Sequence, residues 1–216
     1  EVREAWERFD YGSGPDRLLH IPRLEDREIY LYGWIQYGLG ANNWGAPFNG
    51  PVTMADRSWQ GQLNQLYIVL ERETDGTDGV DLGGRLDLLF GTDYFYTTAL
   101  GLDAYPLQPL GIENIASWGF SKDYGFALPQ MYADVAYEGM TLRFGHFYSI
   151  LGFEQVPAPG NFFYTHCLTM QFSPFTFTGF LGLWQPNEQI TFLSGITTGW
   201  NNFFDNQPEY ALILSW

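Results

Sequence analysis

Three side chains able to move protons or bind metal fall in one stretch of this sequence: His146, Glu154 and His166. A zinc site or a general base needs such groups to converge. Their spacing is not the i, i+4 histidine pair of a zinc-protease helix, and no third ligand is evident. Three readings follow from residue type: hydrogen bonds that fix a loop, a metal ion, or base catalysis. Ser149, Ser173, Ser194 and Thr165 are candidate nucleophiles, but none sits in a Gly-x-Ser-x-Gly elbow. The three histidines leave few bases to activate them. There is no Walker loop and no Gly-x-Gly-x-x-Gly turn, so no cofactor is expected. Cys167 is the only cysteine, which excludes an intrachain disulfide and a cysteine zinc site.

A second set of charged residues carries different information. Arg85 and Asp87 lie in Leu82-Gly-Gly-Arg-Leu-Asp-Leu-Leu-Phe90, where Leu82, Leu86, Leu88 and Phe90 have the opposite parity. A strand sends successive side chains to opposite faces, so this run has an apolar and a polar face. Farther on, Met131, Ala133, Val135 and Tyr137 alternate with Gln130, Tyr132, Asp134 and Glu138. Arg143, in the adjacent run, can meet those carboxylates across a hairpin. Arg85, Asp87, Asp134, Glu138 and Arg143 are therefore candidates to line a polar lumen, as ladder-type ion pairs or as a charged constriction. Repeated in a chain with 19% aromatics, the alternation points to an all-β, antiparallel up-and-down transmembrane β-barrel.

Composition is compatible with that medium. Mean hydropathy is -0.18 and no stretch approaches the length of apolar chain that a transmembrane helix needs. A barrel turns only every second residue to lipid and escapes that test. The net charge of -15, with Lys122 the only lysine, argues against a nucleic-acid partner. Part of the acid surplus lies in residues 71–81, read as a solvated loop or a divalent-cation loop; an EF-hand pattern is absent. The chain starts at Glu1 without basic or apolar leader features, so an export signal is either removed or not included.

Along the chain, residues 1–27 read as a polar lead-in with weak helical periodicity near Glu1–Phe9, and 28–216 as the barrel domain. Strands are expected at about 30–40, 62–72, 82–96, 130–138, 140–148, 166–173, 175–185, 190–200 and 209–216. Tyr137-Glu-Gly-Met140 reads as a tight hairpin, and Pro174 as a break that no central ladder accommodates. Longer loops are expected at 41–61, 97–129 and 149–165. Aromatic groups such as Tyr94-Phe-Tyr96, Phe162-Phe-Tyr164, Trp200 and Phe203-Phe204 suit membrane-interface belts or, alternatively, carbohydrate stacking. Pro157, Pro159 and Gly160 pre-shape the segment Val156–Tyr164, which is expected to fold inward and narrow the lumen.

The stretches Gly145–Glu154 and Val156–His166, then Pro174–Gly179 and Gly199-Trp-Asn-Asn202, together resemble the OmpL-like β-barrel porins of type 2. Tyr32–Gln36, Gln62–Tyr67 and Arg85–Asp93 are similar as well, so the resemblance runs in order from about 30 to 216. It singles out Gly152, Glu154, Pro157, Pro159, Asn161 and His166 as the family-motif loop. Three departures stand out: Thr165-His-Cys167 replaces a Ser-His-Ser, Phe177 replaces a frequent His, and Asn201 a frequent Asp. Any role for a histidine pair is weakened accordingly. Members of the family continue through further strands, which suggests an N-terminal portion of a larger barrel. About eight strands enclose a lumen filled by side chains, whereas an aqueous channel needs nearer sixteen.

The resemblance and the alternation imply a porin in the bacterial outer membrane that passes small hydrophilic solutes or ions by diffusion. It is expected to be no enzyme, to have outer-membrane lipid as its surroundings, and to be compatible with a homo-oligomer. The acid surplus hints at mild cation preference. Two alternatives remain open: a soluble, secreted β-sandwich that binds carbohydrate through aromatics, and a closed structural or adhesive barrel.

Overall fold

The computed structural model describes residues 21–43, 57–107, 112–116, 118, 123–187, 190–204 and 211–215. The lead-in up to residue 20, Lys122 and Trp216 lie outside the described residues. Strands are β1 (Ile29–Gly40), β2 (Gln60–Arg72), β3 (Asp81–Gly91), β4 (Ala104–Leu107), β5 (Ile112–Ala116) and β6 (Gly125–Ala127). They continue with β7 (Met131–Tyr137), β8 (Met140–Tyr148), β9 (Thr176–Asn187), β10 (Ile190–Thr197) and β11 (Ala211–Ser215). One antiparallel sheet runs in the order β1-β2-β3-β7-β8-β9-β10-β11, while β4 and β5 pair with each other. Among the described residues the path is open at β1 and β11.

Local chemistry explains the meander. The β7–β8 turn places Glu138 and Gly139 at φ +44 and +77. Two successive positive φ values match the twist of a two-residue hairpin. Next to β3 the partner strand is split: β7 pairs with Asp81–Leu86, and β6 with Leu89–Gly91. Pro129 stands in the break, where a residue without an N–H cannot join a ladder. β3 ends at Gly91, where a Cβ would lie 1.9 Å from the Asn64 carbonyl, so only glycine lets the chain turn away.

The sheet is inverted relative to a water-soluble protein. Its outward face carries exposed cross-strand apolar pairs: Leu70 with Leu86, Leu82 with Val135, Val135 with Leu142, Phe144 with Phe180 and Trp184 with Phe192. The inward face buries Glu71, Arg85, Asp87, Asp134, Thr141 and Arg143. A bilayer suits the first face, and a closed polar interior suits the second. A β-sandwich would bury the apolar face instead. The outward stripe stops at Phe144 and Phe180. Just beyond, Gly145 pairs with Gly179, both at positive φ, and His146, Phe147, Thr176, Phe177 and Thr178 are all buried.

Curvature is visible across the inner face. β2 and β8 are three positions apart in the sheet, roughly 14 Å along it at the usual strand spacing. Yet the hydroxyls of Tyr67 on β2 and Tyr148 on β8 stand 3.1 Å apart. A sheet curled toward this face, as in a barrel wall, brings the two rings together.

Three expectations about elements change. Residues 166–173 are not a strand; Leu168–Phe172 forms a 3-10 helix that buries Met170 and leaves Leu168 and Phe172 exposed, ahead of buried Pro174. The run 82–96 stops at Gly91, and Tyr94–Thr97 is one helical turn. The segment 97–129, expected as a loop, contains β4, β5 and β6.

Candidate functional site

Chemistry on the inner wall is organised around two guanidinium groups. Arg85 on β3 donates from Nε to Asp87 Oδ1 at 2.7 Å and from Nη2 to Asp87 Oδ2 at 3.2 Å. Its Nη1 reaches Glu71 Oε1 on β2 at 3.5 Å, and Tyr32 on β1 donates to Glu71 Oε2 at 2.6 Å. Asp87 also accepts from the Tyr67 hydroxyl at 2.5 Å and from Gln130 Nε2 at 2.9 Å. Arg143 on β8 grips Asp134 on β7 through two bonds of 2.9 and 2.8 Å. Its guanidinium lies 3.6 Å from the Tyr132 ring centroid, a cation–π contact. Alternation puts these groups on one face, and cross-strand register makes them partners.

Four of the five lumen candidates thus lie on the inner wall. Glu138 does not: it sits in the β7–β8 turn with an exposed side chain, because the hairpin ends one residue earlier than the alternation implied.

Above this wall lies the β8–β9 loop, residues 149–175, held on β2 by a polar clamp. Gln65 is fully buried. Its Nε2 donates to Val156 O at 2.6 Å and to Asp93 Oδ2 at 2.8 Å. Its Oε1 accepts from Ala158 N at 3.0 Å and from Trp34 Nε1 at 2.8 Å. Beside it, Asn64 accepts from the Tyr164 hydroxyl at 2.8 Å. Tyr164 packs so closely on β1 that a Cβ at Gly38 would lie 2.2 Å from its ring. Val156 and Met170 bury themselves against Tyr96, Tyr148 and Phe175. The loop therefore crosses the inner face from β8 to β1 and β2.

Within the loop, the motif residues shape the chain. Asn161 accepts from Gln155 N at 3.0 Å and donates to Gln155 O at 2.6 Å and Pro157 O at 3.0 Å. Pro157 is buried and caps the 3-10 turn Ala158–Gly160, in which Pro159 is exposed. Gly152 takes φ +96. Glu154 Oε2 accepts from Cys167 N at 2.8 Å and lies 3.6 Å from His166 Nδ1. Burial would raise the Glu154 carboxyl, but its bonds from Cys167 and the nearby His166 hold it below the usual range. Burial depresses His166 and outweighs the opposing pull of Glu154. His146 is elsewhere, fully buried on β8 with Nδ1 2.8 Å from Thr178 Oγ1. Among the described residues no three His, Cys, Asp or Glu side chains converge for a metal ion.

At its far end the loop is tied down by Asn201. Its Oδ1 accepts from Phe175 N at 3.2 Å, Thr176 N at 3.0 Å and Thr176 Oγ1 at 3.2 Å, while its carbonyl accepts from Leu100 N at 2.8 Å. Sequence reasoning missed the clamp residues Asn64, Gln65 and Asp93. One signal was present: Asn64-Gln65 are adjacent polar residues immediately before the apolar run Leu66–Leu70. The β1–β2 register slips there, with Gln36 opposite Gln65 but Tyr37 opposite Leu63.

The family model described as "Putative beta-barrel porin-2, OmpL-like" matches residues 28–216. No curated protein and no solved structure matches the chain. The inverted sheet, its curvature and the extent of this match agree, and the chain belongs to the OmpL-like β-barrel porin family.

Proposed function

We propose that this membrane β-barrel lets small hydrophilic solutes and ions diffuse across a bacterial outer membrane, with the β8–β9 loop narrowing the path. The observation that carries the reading is the two-faced sheet, apolar outward and ionic inward. Selection would be steric and electrostatic, through Arg85, Asp87, Asp134 and Arg143. Glu71 and Asp87 both meet the guanidinium of Arg85, and the net charge of -15 favours cations. Outer-membrane lipid is the partner of the apolar face, and a homo-oligomer is compatible with the reading. The chemistry is passive, with no enzymatic step.

The test is conductance of the purified full-length protein in planar bilayers. Stepwise conductance with a cation-selective reversal potential is expected, and deletion of 155–161 should raise the step size. Anion selectivity would defeat the charge argument, and an unchanged step would remove the loop from the path.

One observation favours a second reading, a closed structural barrel. Arg85, Asp87, Asp134 and Arg143 are all at most 8% exposed, as in a lumen filled by its own side chains. That reading expects no conductance with or without residues 155–161.

A further inference from the structure

The β8–β9 loop and the end of β8 line an open pocket of about 220 Å³. Its size is below that of drug-sized sites, so it suits a small ligand. Its lining includes Val156, Met170 and Pro174, all buried, together with the aromatic residues Tyr148 and Phe175. Those rings are fixed rather than collapsible. Tyr148 is held by the Tyr67 hydroxyl at 3.1 Å, and Phe175 meets Tyr96 edge-on with centroids 5.6 Å apart. The mouth opens between Leu151–Phe153 and Cys167–Thr169, which are exposed.

One charged side chain lines this space: Glu154. No Lys or Arg contributes to the lining. Cys167 N anchors Glu154 Oε2 at 2.8 Å, which fixes the carboxylate in place. A carboxylate offers about four acceptor sites, so capacity toward the pocket remains. His166 does not cancel its charge near neutral pH, since burial favours the uncharged imidazole. A lining that combines one anchored carboxylate with Tyr148, Phe175 and apolar side chains has the elements that recognise an alkylated ammonium group.

We infer that the pocket within the β8–β9 loop, with Glu154 at its charged side and Tyr148 and Phe175 in its lining, binds a small organic cation. This does not depend on the barrel conducting. A transported amine and a regulatory one would meet the same chemistry.

The test uses the full-length protein in detergent micelles, with choline as probe and its uncharged carbon isostere dimethylbutanol as control, followed by titration calorimetry. Saturable choline binding is expected, with the isostere weaker by about tenfold or more, since it lacks the positive charge that the carboxylate and the aromatic rings attract. Glu154→Gln should weaken choline by a similar factor and leave the protein folded with only a small fall in melting temperature, because the amide oxygen can still accept from Cys167 N. The isostere comparison needs no variant and so does not depend on the folding of Glu154→Gln. Absence of saturable choline binding overturns the inference. Equal affinity for the isostere, or undiminished choline binding by a folded Glu154→Gln protein, does so as well. Failure of conductance in bilayers leaves this result untouched, so the two claims are separable.

Discussion

Replacing Gln65 by leucine isolates the clamp between the loop and the wall. Leucine keeps an apolar stem of similar reach but removes every bond the amide makes. Two of those bonds, to Val156 O and from Ala158 N, join the loop to β2. Each is worth about 1 kcal/mol net, so docking should weaken by about 2 kcal/mol. At about 1.4 kcal/mol per decade, the undocked population rises roughly 30-fold. The bonds to Asp93 and from Trp34 are lost in both docked and undocked states and should lower overall stability separately. Hydrogen exchange at the Gly160 and Asn161 amides reads the local equilibrium, because their acceptors, Pro157 O and Ala158 O, survive the substitution, whereas the Ala158 amide loses its acceptor outright. Protection at Gly160 and Asn161 should fall by up to about 30-fold, while mid-strand amides of β8 change much less. Unchanged protection at Gly160 and Asn161 would refute the clamp as the element that holds the loop.

Arg143→Met should destabilise the barrel by about 3–5 kcal/mol in urea unfolding from vesicles, since it strands Asp134 on the inner wall, and a second change of Asp134→Leu should recover part of the loss. Asn201→Asp should leave the heat-unfolding midpoint nearly unchanged, because the carboxylate still accepts from Phe175 N and Thr176 N, whereas Asn201→Leu should lower it clearly. Acid should loosen the loop: His166 and Glu154 are both depressed from ordinary values of 6.5 and 4.5, so the unfolded chain binds protons first. The cost is nil above about pH 6.5 and grows as pH falls toward the folded values, first through His166 and then through Glu154. Exchange at the Cys167 amide, corrected for its intrinsic pH dependence, should therefore lose protection between pH 7 and pH 5; equal protection would contradict the sign.

Period-two patterning made β3, β7 and β8 legible, because a two-medium strand writes its faces directly into alternate residues, whereas β2 runs apolar on both faces through Leu66–Leu70. Leu82, Leu86, Arg85 and Asp87 fall where parity puts them. The same rule misled at Leu168–Phe172, where apolar residues alternate but a 3-10 turn buries only Met170, and at Tyr94–Tyr96, where a helical turn follows Gly91. Short pieces such as β6 carry too few residues for a period to register. The clamp was illegible for a different reason. Gln65 meets Val156 across 91 positions of sequence, and no spacing rule links a strand amide to a distant loop carbonyl. His146, Glu154 and His166 looked like one cluster in sequence. The fold keeps only Glu154 and His166 together, because His146 belongs to the β8 ladder.

The central claim is that the apolar face of this sheet meets lipid and the ionic face does not. Single cysteines along β2, placed one at a time at Leu66, Tyr67, Ile68, Val69 and Leu70 in a Cys167→Ser background, test it most directly. Each is labelled with a small fluorophore and the protein is folded into vesicles containing brominated lipid. Quenching should alternate, strong at 66, 68 and 70 and weak at 67 and 69, since Leu66, Ile68 and Leu70 are exposed while Tyr67 and Val69 are buried. Uniformly weak quenching, or quenching strongest at 67 and 69, would contradict the account.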